Sequence, residues 1–185
     1  MTDILIQLHN NLNRFDDESI EPPVKKRLII STTPNTLVYF DHVKYPNGEW
    51  YQGHLKGGKR EGKGKYFNKN GSIRYEGDFC QDMREGNGKC FDNNGVLRYE
   101  GQMKSNYGEG NGKLYSCDAL IIFEGNFKKG KMEGFGKHYN YNLIEHENAS
   151  AKIIYADYVG HFENNQRTRV GRAYFQNGAM REEYH

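Results

Sequence analysis

The sequence predicts a mainly β protein, a single-layer antiparallel sheet built from repeated β-hairpins. Three observations carry that prediction. Tyr75-Glu76-Gly77-Asp78-Phe79 recurs as Tyr99-Glu100-Gly101-Gln102-Met103 and Phe123-Glu124-Gly125-Asn126-Phe127, with the central glycines 24 residues apart; Gly53 continues the step toward the N-terminus. Nine residues after each of these glycines stands a second signature: Gly62-Lys63-Gly64, Gly86-Asn87-Gly88, Gly110-Asn111-Gly112 and Gly134-Phe135-Gly136. A fixed short period marks a repeat array. Finally, the chain is poor in apolar residues (36%) yet rich in rings, with 14 Tyr, 10 Phe and 22 Gly. Its mean hydropathy is −0.95. That balance suits a thin sheet, where each large ring covers much surface, better than a thick two-layer core.

Taken in order, residues 1–34 read as an N-terminal helix and linker. Ile4, Leu5, Leu8, Leu12 and Phe15 fall at helical spacing over residues 2–15, with Thr2 or Asp3 as N-cap. A helix of about three turns is not stable alone, so it is expected to dock, near Trp50 and Tyr51. Residues 28–32 and 37–40 read as strands around a turn at Pro34-Asn35, the second within a lead-in strand over 35–49. The array spans 50–178, with four good repeats, an insert near 140–155 and one degenerate repeat; residues 179–185 form a tail. The insert is expected to hold a short helix around Leu143–Ala151. In the fifth repeat Arg169 replaces the first glycine of the pair and only Gly171 remains, as befits a terminal cap.

Within a repeat, alternation sorts the faces. Ile73, Tyr75, Gly77 and Phe79 fall on one face; Arg74, Glu76 and Asp78 fall on the other, which reads as polar throughout. A turn at Gln81-Asp82-Met83-Arg84 sets Phe79 opposite Gly86 and Gly77 opposite Gly88. Glycine is needed because a ring lies flat over a neighbouring strand only where that strand carries no side chain.

The pattern is clearest in Phe123-Glu-Gly-Asn-Phe-Lys-Lys-Gly-Lys-Met-Glu-Gly-Phe-Gly136, and it resembles the MORN repeat (membrane occupation and recognition nexus) over roughly residues 50–178. The departures are Met103 in place of the second ring, Asn106-Tyr107 in place of Gly-Lys, and the broken fifth unit. The resemblance implies an elongated, twisted antiparallel sheet of successive hairpins. In junctophilins, phosphatidylinositol phosphate kinases, radial-spoke head proteins and cytoskeletal scaffolds such repeats look like spacers or docking surfaces.

The remaining signals mostly exclude. A formal charge of +2 disfavours nucleic acid as partner. Three cysteines without a C-x-x-C pair suit a reducing compartment. The first 30 residues read as neither secretory signal nor transit peptide, and no apolar run has membrane-spanning length, so a cytoplasmic location is expected; the resemblance to MORN proteins implies a place at cytoskeleton or cilium. Gly108-x-Gly110-x-Gly112 lacks the strand–loop–helix context of a nucleotide fingerprint. His138, Glu145, His146 and Glu147 match no metal-ligand spacing, and Cys90 reads as a small buried hydrophobe. With no catalytic constellation, the chain is expected to be a non-enzyme without cofactor or metal. The expected function is a scaffold or docking subunit whose partners are proteins of a larger assembly, held by Tyr75, Phe79, Tyr99, Phe123, Phe127 and Phe162. The alternatives are a peripheral membrane adaptor for phosphoinositide and a regulator acting in trans on an enzyme. Lys65, Lys89, Lys113, Lys137 and Arg172 are the candidate contacts to anionic lipid, although pairing with Glu76, Glu100 and Glu124 accounts for them more simply.

Overall fold

The protein is described by a computed structural model that covers residues 24–25, 37–146, 149–174 and 180–183. Two strands lead in: β1 (Val24–Lys25) and β2 (Leu37–Lys44). Five hairpins follow: β3–β4 (Trp50–Lys56, Lys59–Phe67), β5–β6 (Ile73–Cys80, Met83–Phe91), β7–β8 (Leu97–Lys104, Tyr107–Tyr115), β9–β10 (Ile121–Lys128, Lys131–His146) and β11–β12 (Ala149–Glu163, Gln166–Tyr174). Strand β13 (Met180–Glu183) arises from the segment expected to be a tail. Among the described residues these strands form one open sheet of thirteen in sequential order, each antiparallel to the next. The hairpin array is thus the fold, and the described residues contain no helix.

One row of glycines organises the sheet. Gly53, Gly64, Gly77, Gly88, Gly101, Gly112, Gly125, Gly136, Gly160 and Gly171 pair in unbroken register across ten strands. Over this bare backbone lie Tyr51, Tyr75, Tyr99, Phe123 and Tyr158, one per hairpin, at most 2% exposed. A Cβ built on Gly88 would fall 2.5 Å from Cε2 and 2.6 Å from Cζ of Tyr75. Ring and side chain cannot share that space.

The register also explains the tyrosine hydroxyls. In each of these hairpins a bulge follows the first glycine, as between Gly77 and Phe79, and a bulge interrupts the backbone ladder. The ring bends over it: Tyr51, Tyr75, Tyr99 and Tyr158 donate to the carbonyls of His54, Asp78, Gln102 and His161, at 2.7–3.1 Å. Burial pushes the phenol pKa of Tyr51, Tyr75 and Tyr99 well above its ordinary value, so these hydroxyls stay donors.

Several local expectations change. The hairpin turn is two residues long, Gln81-Asp82, at φ 50° and 70°, the primed geometry that matches strand twist. Phe79 therefore faces Arg84, not Gly86, while Gly77 does face Gly88. Gly86, at φ +67°, absorbs the surplus residues of β6 in the bulge. A second bulge, at Arg74, pairs Ile73 with Phe67 rather than placing it in the ring row. The described residues of the expected helix, 143–146 and 149–151, are strand. Tyr139–His146 and Ala149–Ala156 continue β10 and β11 as a paired arm beyond the array, because Tyr, Ile and Leu in that segment suit cross-strand pairing. Lead-in residues 37–40 are strand as expected, extended to Lys44. The expected helix over 2–15, strand 28–32 and turn at Pro34-Asn35 lie outside the described residues.

Two substitutions test the ring-on-glycine arrangement. Gly88→Val forces Tyr75 off its seat and should cost about 3 kcal/mol or more, whereas Asn87→Val, at an exposed site, should change stability by about 0.5 kcal/mol or less. Tyr99→Phe removes only the bond to Gln102 and should cost about 1 kcal/mol. Urea unfolding followed by circular dichroism reads all three. Equal losses at Gly88 and Asn87 would contradict the packing.

Candidate interaction surfaces

The two faces of the sheet differ in chemistry, and each candidate residue belongs to one of them. On the inner face, the second apolar position of three repeats holds a ring that bridges its neighbours edge-on. Phe79 lies 5.4 Å from Tyr51 and 4.9 Å from Tyr75; Phe127 lies 5.1 Å from Tyr99 and 5.2 Å from Phe123; Phe162 joins Phe123 and Tyr158 at 4.9 and 5.2 Å. Interplanar angles of 78–89° put ring edges on ring faces, the favoured geometry. Met103 occupies this bridging position between Tyr75 and Tyr99 and is buried, so a flexible thioether fills the gap.

Arginines roof the rings. Arg60 lies 5.2 Å over Phe79, Arg84 5.6 Å over Tyr75 and Arg167 5.3 Å over Tyr158. The six aromatic candidates Tyr75, Phe79, Tyr99, Phe123, Phe127 and Phe162 are accordingly 0–4% exposed. They form the continuous core that joins one repeat to the next, so the apolar face is covered by the chain itself. Cys90 is buried there too, its Sγ 3.7 Å from Nη1 of Arg84. Burial raises its thiol pKa against the pull of that guanidinium.

Successive hairpin tips are laced together. The Glu61, Glu85, Glu109 and Glu133 carboxylates accept the turn amides of Gln81, Ser105, Lys129 and Asn164 at 2.9–3.0 Å. Beside them the amides of Asp82, Asn106, Gly130 and Asn165 donate to the carbonyls of Arg60, Arg84, Gly108 and Met132 at 2.8–3.1 Å. Sequence reading missed this lacing. Its signal is the Glu-Gly pair opening each of the four intact Gly-x-Gly signatures, replaced by Thr168-Arg169 in the fifth repeat.

The outer face carries a charged row in register across the array: Lys65, Glu76, Lys89, Glu100, Lys113, Glu124 and Lys137. Lys65–Glu76, Lys89–Glu100 and Lys113–Glu124 are ion pairs at 3.0, 3.2 and 3.5 Å, all half-exposed. Such pairs contribute a few tenths of a kcal/mol and cancel much of the basic field. Lys137 faces Glu124 across the ladder, and Arg172 faces Glu182. Next to this row, over Gly112, Gly125 and Gly136, runs a groove of about 610 Å³ whose opposite bank is Asn111, Asn126 and Phe135.

This face is not polar throughout. Trp50 stacks on Phe67 at 3.6 Å and on His42 at 4.4 Å near the first hairpin. At the other end Phe135 is 50% exposed and Val170 48%. His161 stands opposite Phe135 in register, with ring centroids 6.0 Å apart. In earlier repeats the position of Phe135, the middle of Gly-x-Gly, holds Lys63, Asn87 and Asn111. The break in that series was visible in the sequence.

His138 belongs to an ion cluster on the inner side of the last two repeats. Its Nδ1 lies 2.8 Å from Oδ1 of Asp157, whose Oδ2 accepts Nη2 of Arg167 at 2.7 Å. Burial alone would raise the Asp157 pKa; the bonds to His138 and Arg167 outweigh it and hold the carboxyl below its ordinary value. By register, Glu145 and His146 lie at the far end of the arm, away from His138; Glu147 is outside the described residues.

A family model described as the MORN repeat matches residues 51–73, 75–96, 99–118, 123–142 and 158–180. Each match begins on one of the five rings seated over glycine. No curated protein matches the chain.

The Asp157 cluster sets an acid limit. A carboxyl whose folded pKa is depressed stabilises the fold above the ordinary carboxylate value, and that contribution is lost as pH falls through the folded value. Wild-type protein should therefore exceed Asp157→Asn in stability at neutral pH, with the gap closing as pH falls below about 3.9. Urea midpoints measured across that range check it; a gap independent of pH would mean the carboxylate's charge plays no part.

Proposed function

The chain belongs to the MORN-repeat family, whose repeats are interaction modules for proteins or membrane lipids, and on that premise we propose that it is a non-catalytic docking subunit of a larger protein assembly, cytoskeletal or axonemal in kind and cytoplasmic in location. The observation that carries the reading is the exposed apolar patch of Phe135 and Val170 beside His161, on a face whose central row is a ladder of charge pairs. Apolar residues rimmed by polar ones mark protein interaction sites. The six buried rings serve such docking by fixing the shape of the sheet, and the outer face makes the contact.

The lipid alternative draws on the same basic row. Anionic headgroups reward each nearby Lys or Arg with about 1 kcal/mol, yet Lys65, Lys89 and Lys113 are already paired with glutamates. A surface of alternating sign attracts a bilayer weakly and a partner with its own alternating charges well.

Phe135→Ser with Val170→Ser tests the reading, since both side chains are exposed and the fold should survive. In cells, the wild-type chain should fractionate with detergent-insoluble cytoskeleton and cross-link to a small set of proteins there. The double variant should lose both while keeping its circular dichroism spectrum. Flotation with phosphoinositide vesicles at low salt should recover little of either protein. Strong, salt-sensitive flotation combined with unchanged fractionation of the double variant would overturn the proposal in favour of the membrane.

A further inference from the structure

Toward the end of the array, the charged row of the outer face loses an acid. In the earlier repeats, the strand that follows each basic strand brings a glutamate opposite its lysine: Glu76 to Lys65, Glu100 to Lys89 and Glu124 to Lys113. The fifth repeat reads Tyr158-Val159-Gly160-His161-Phe162, so Val159 stands where those glutamates stand. Lys137 pairs in register with Val159, and Val159 with Arg172. On its other side Lys137 faces Glu124, whose carboxylate is bonded to Lys113 at 3.5 Å.

The residues around Val159 form a small grid on the outer face. A Cβ built on Gly136, Gly160 or Gly171 would meet the inner rings of Phe123 or Tyr158, so by alternation the residues flanking these glycines project outward. One row is Phe135, His161 and Val170; the other is Lys137, Val159 and Arg172. Each row crosses β10, β11 and β12. Five of the six are exposed and Val159 is half-buried. Three apolar side chains thus alternate with an ammonium, a guanidinium and an imidazole, and none of the six is acidic. Acids begin at the rim: Glu124 beside Lys137, Glu182 opposite Arg172, and Glu163 two residues beyond His161. The grid measures about 7 by 10 Å, a footprint for about three residues of an extended chain.

We propose that this grid takes an acidic segment of the partner protein: an apolar side chain seated among Phe135, Val159 and Val170, with a carboxylate within two residues of it on Lys137. The inference rests on the reading of the Phe135 patch as the docking site and names the partner's chemistry there. The carboxylate gives Lys137 the acidic neighbour that a glutamate supplies in the earlier repeats. Apolar contact beside it excludes water and strengthens the charge-assisted bond. A basic segment would meet like charge here with no acid inside the grid to answer it. A bilayer fits less well, because its plane extends over the neighbouring rows and meets Glu100 and Glu124 as well. Two fixed bases also fall short of the about four to eight that cluster at anionic membranes.

Peptides selected on the immobilised full chain from a random phage-displayed library test the proposal. The informative ones lose binding to the Phe135→Ser, Val170→Ser double variant. They should be enriched in aspartate or glutamate within two residues of an aliphatic or aromatic one. Val159→Glu restores the pattern of the other repeats, so the fold should hold while such a peptide binds about tenfold or more weakly in a fluorescence titration. Lys137→Glu should do the same. Val159→Gln, of equal length without the charge, should weaken binding less. Informative peptides without acid enrichment overturn the proposal. So does equal affinity for wild type and Val159→Glu, or equal weakening by the Gln and Glu variants; in each of these cases docking at the patch still stands. If no selected peptide depends on Phe135 and Val170, the docking reading falls as well. Phosphatidylserine vesicles that float the wild-type chain but not Val159→Glu would assign the grid to a membrane and overturn the proposal too.

Discussion

The structure depends on the seating of one aromatic ring over two bare glycines in every hairpin. A single-layer sheet has no second layer to bury its apolar side, so each repeat must find cover within itself and its neighbour. The rings of Tyr51, Tyr75, Tyr99, Phe123 and Tyr158 provide it by lying down instead of standing up. They can do so because ten glycines pair in register across the array. Everything else on the inner face follows: the bridging ring fits edge-on between two recumbent ones, and the arginines roof what remains.

That seating commits the backbone to bulges, which would leave its carbonyls short of partners. The tyrosine hydroxyl bonds one of them in four of the five hairpins. Tyrosine is thus selected at this position twice, by ring and by hydroxyl. Phe123 keeps only the first of these roles. Bonding between repeats is handled at the tips, where the glutamate of one hairpin accepts the turn amide of the next. Among the described residues the four glutamate bonds join the five hairpin tips, and the fifth repeat carries Thr168 where the others have glutamate.

Much of this was legible in the sequence, for a physical reason. Period, glycine pairing and strand alternation are backbone requirements, and a backbone requirement recurs at a fixed spacing. Gly77 opposite Gly88 was reached through a four-residue turn, and it holds because the bulge at Gly86 makes up for the shorter turn. Turn length was not legible, because Gln81-Asp82 lacks the glycine that announces a primed turn, and positive φ at such residues is settled by neighbouring bonds from Glu61 and Arg60. The arm was misread because Leu143 to Ala151 suits either a helix or a strand, and only pairing with β11 decides between them. The six aromatics were read correctly as one apolar set. Their burial was not legible, since it comes from side chains of neighbouring strands, with Arg60 lying over Phe79 and Arg84 over Tyr75. Phe135 shows the opposite case: one residue departing from its column, visible in the sequence and passed over because the column was read as uniformly polar.

The primed two-residue turns carry a geometric consequence for the molecule as a fitting. Because each hairpin contributes two strands in the same twisting sense, the array advances about 10 Å and rotates about 45° per repeat. The stacked Trp50 near one end and the apolar Phe135 near the other are therefore held at a set rotational phase as well as a set distance. Gaining or losing one repeat between them would turn one against the other by about 45°. In such a sheet, repeat number acts as an angular adjustment, and two binding partners engaged at the ends would be oriented like parts on a keyed shaft.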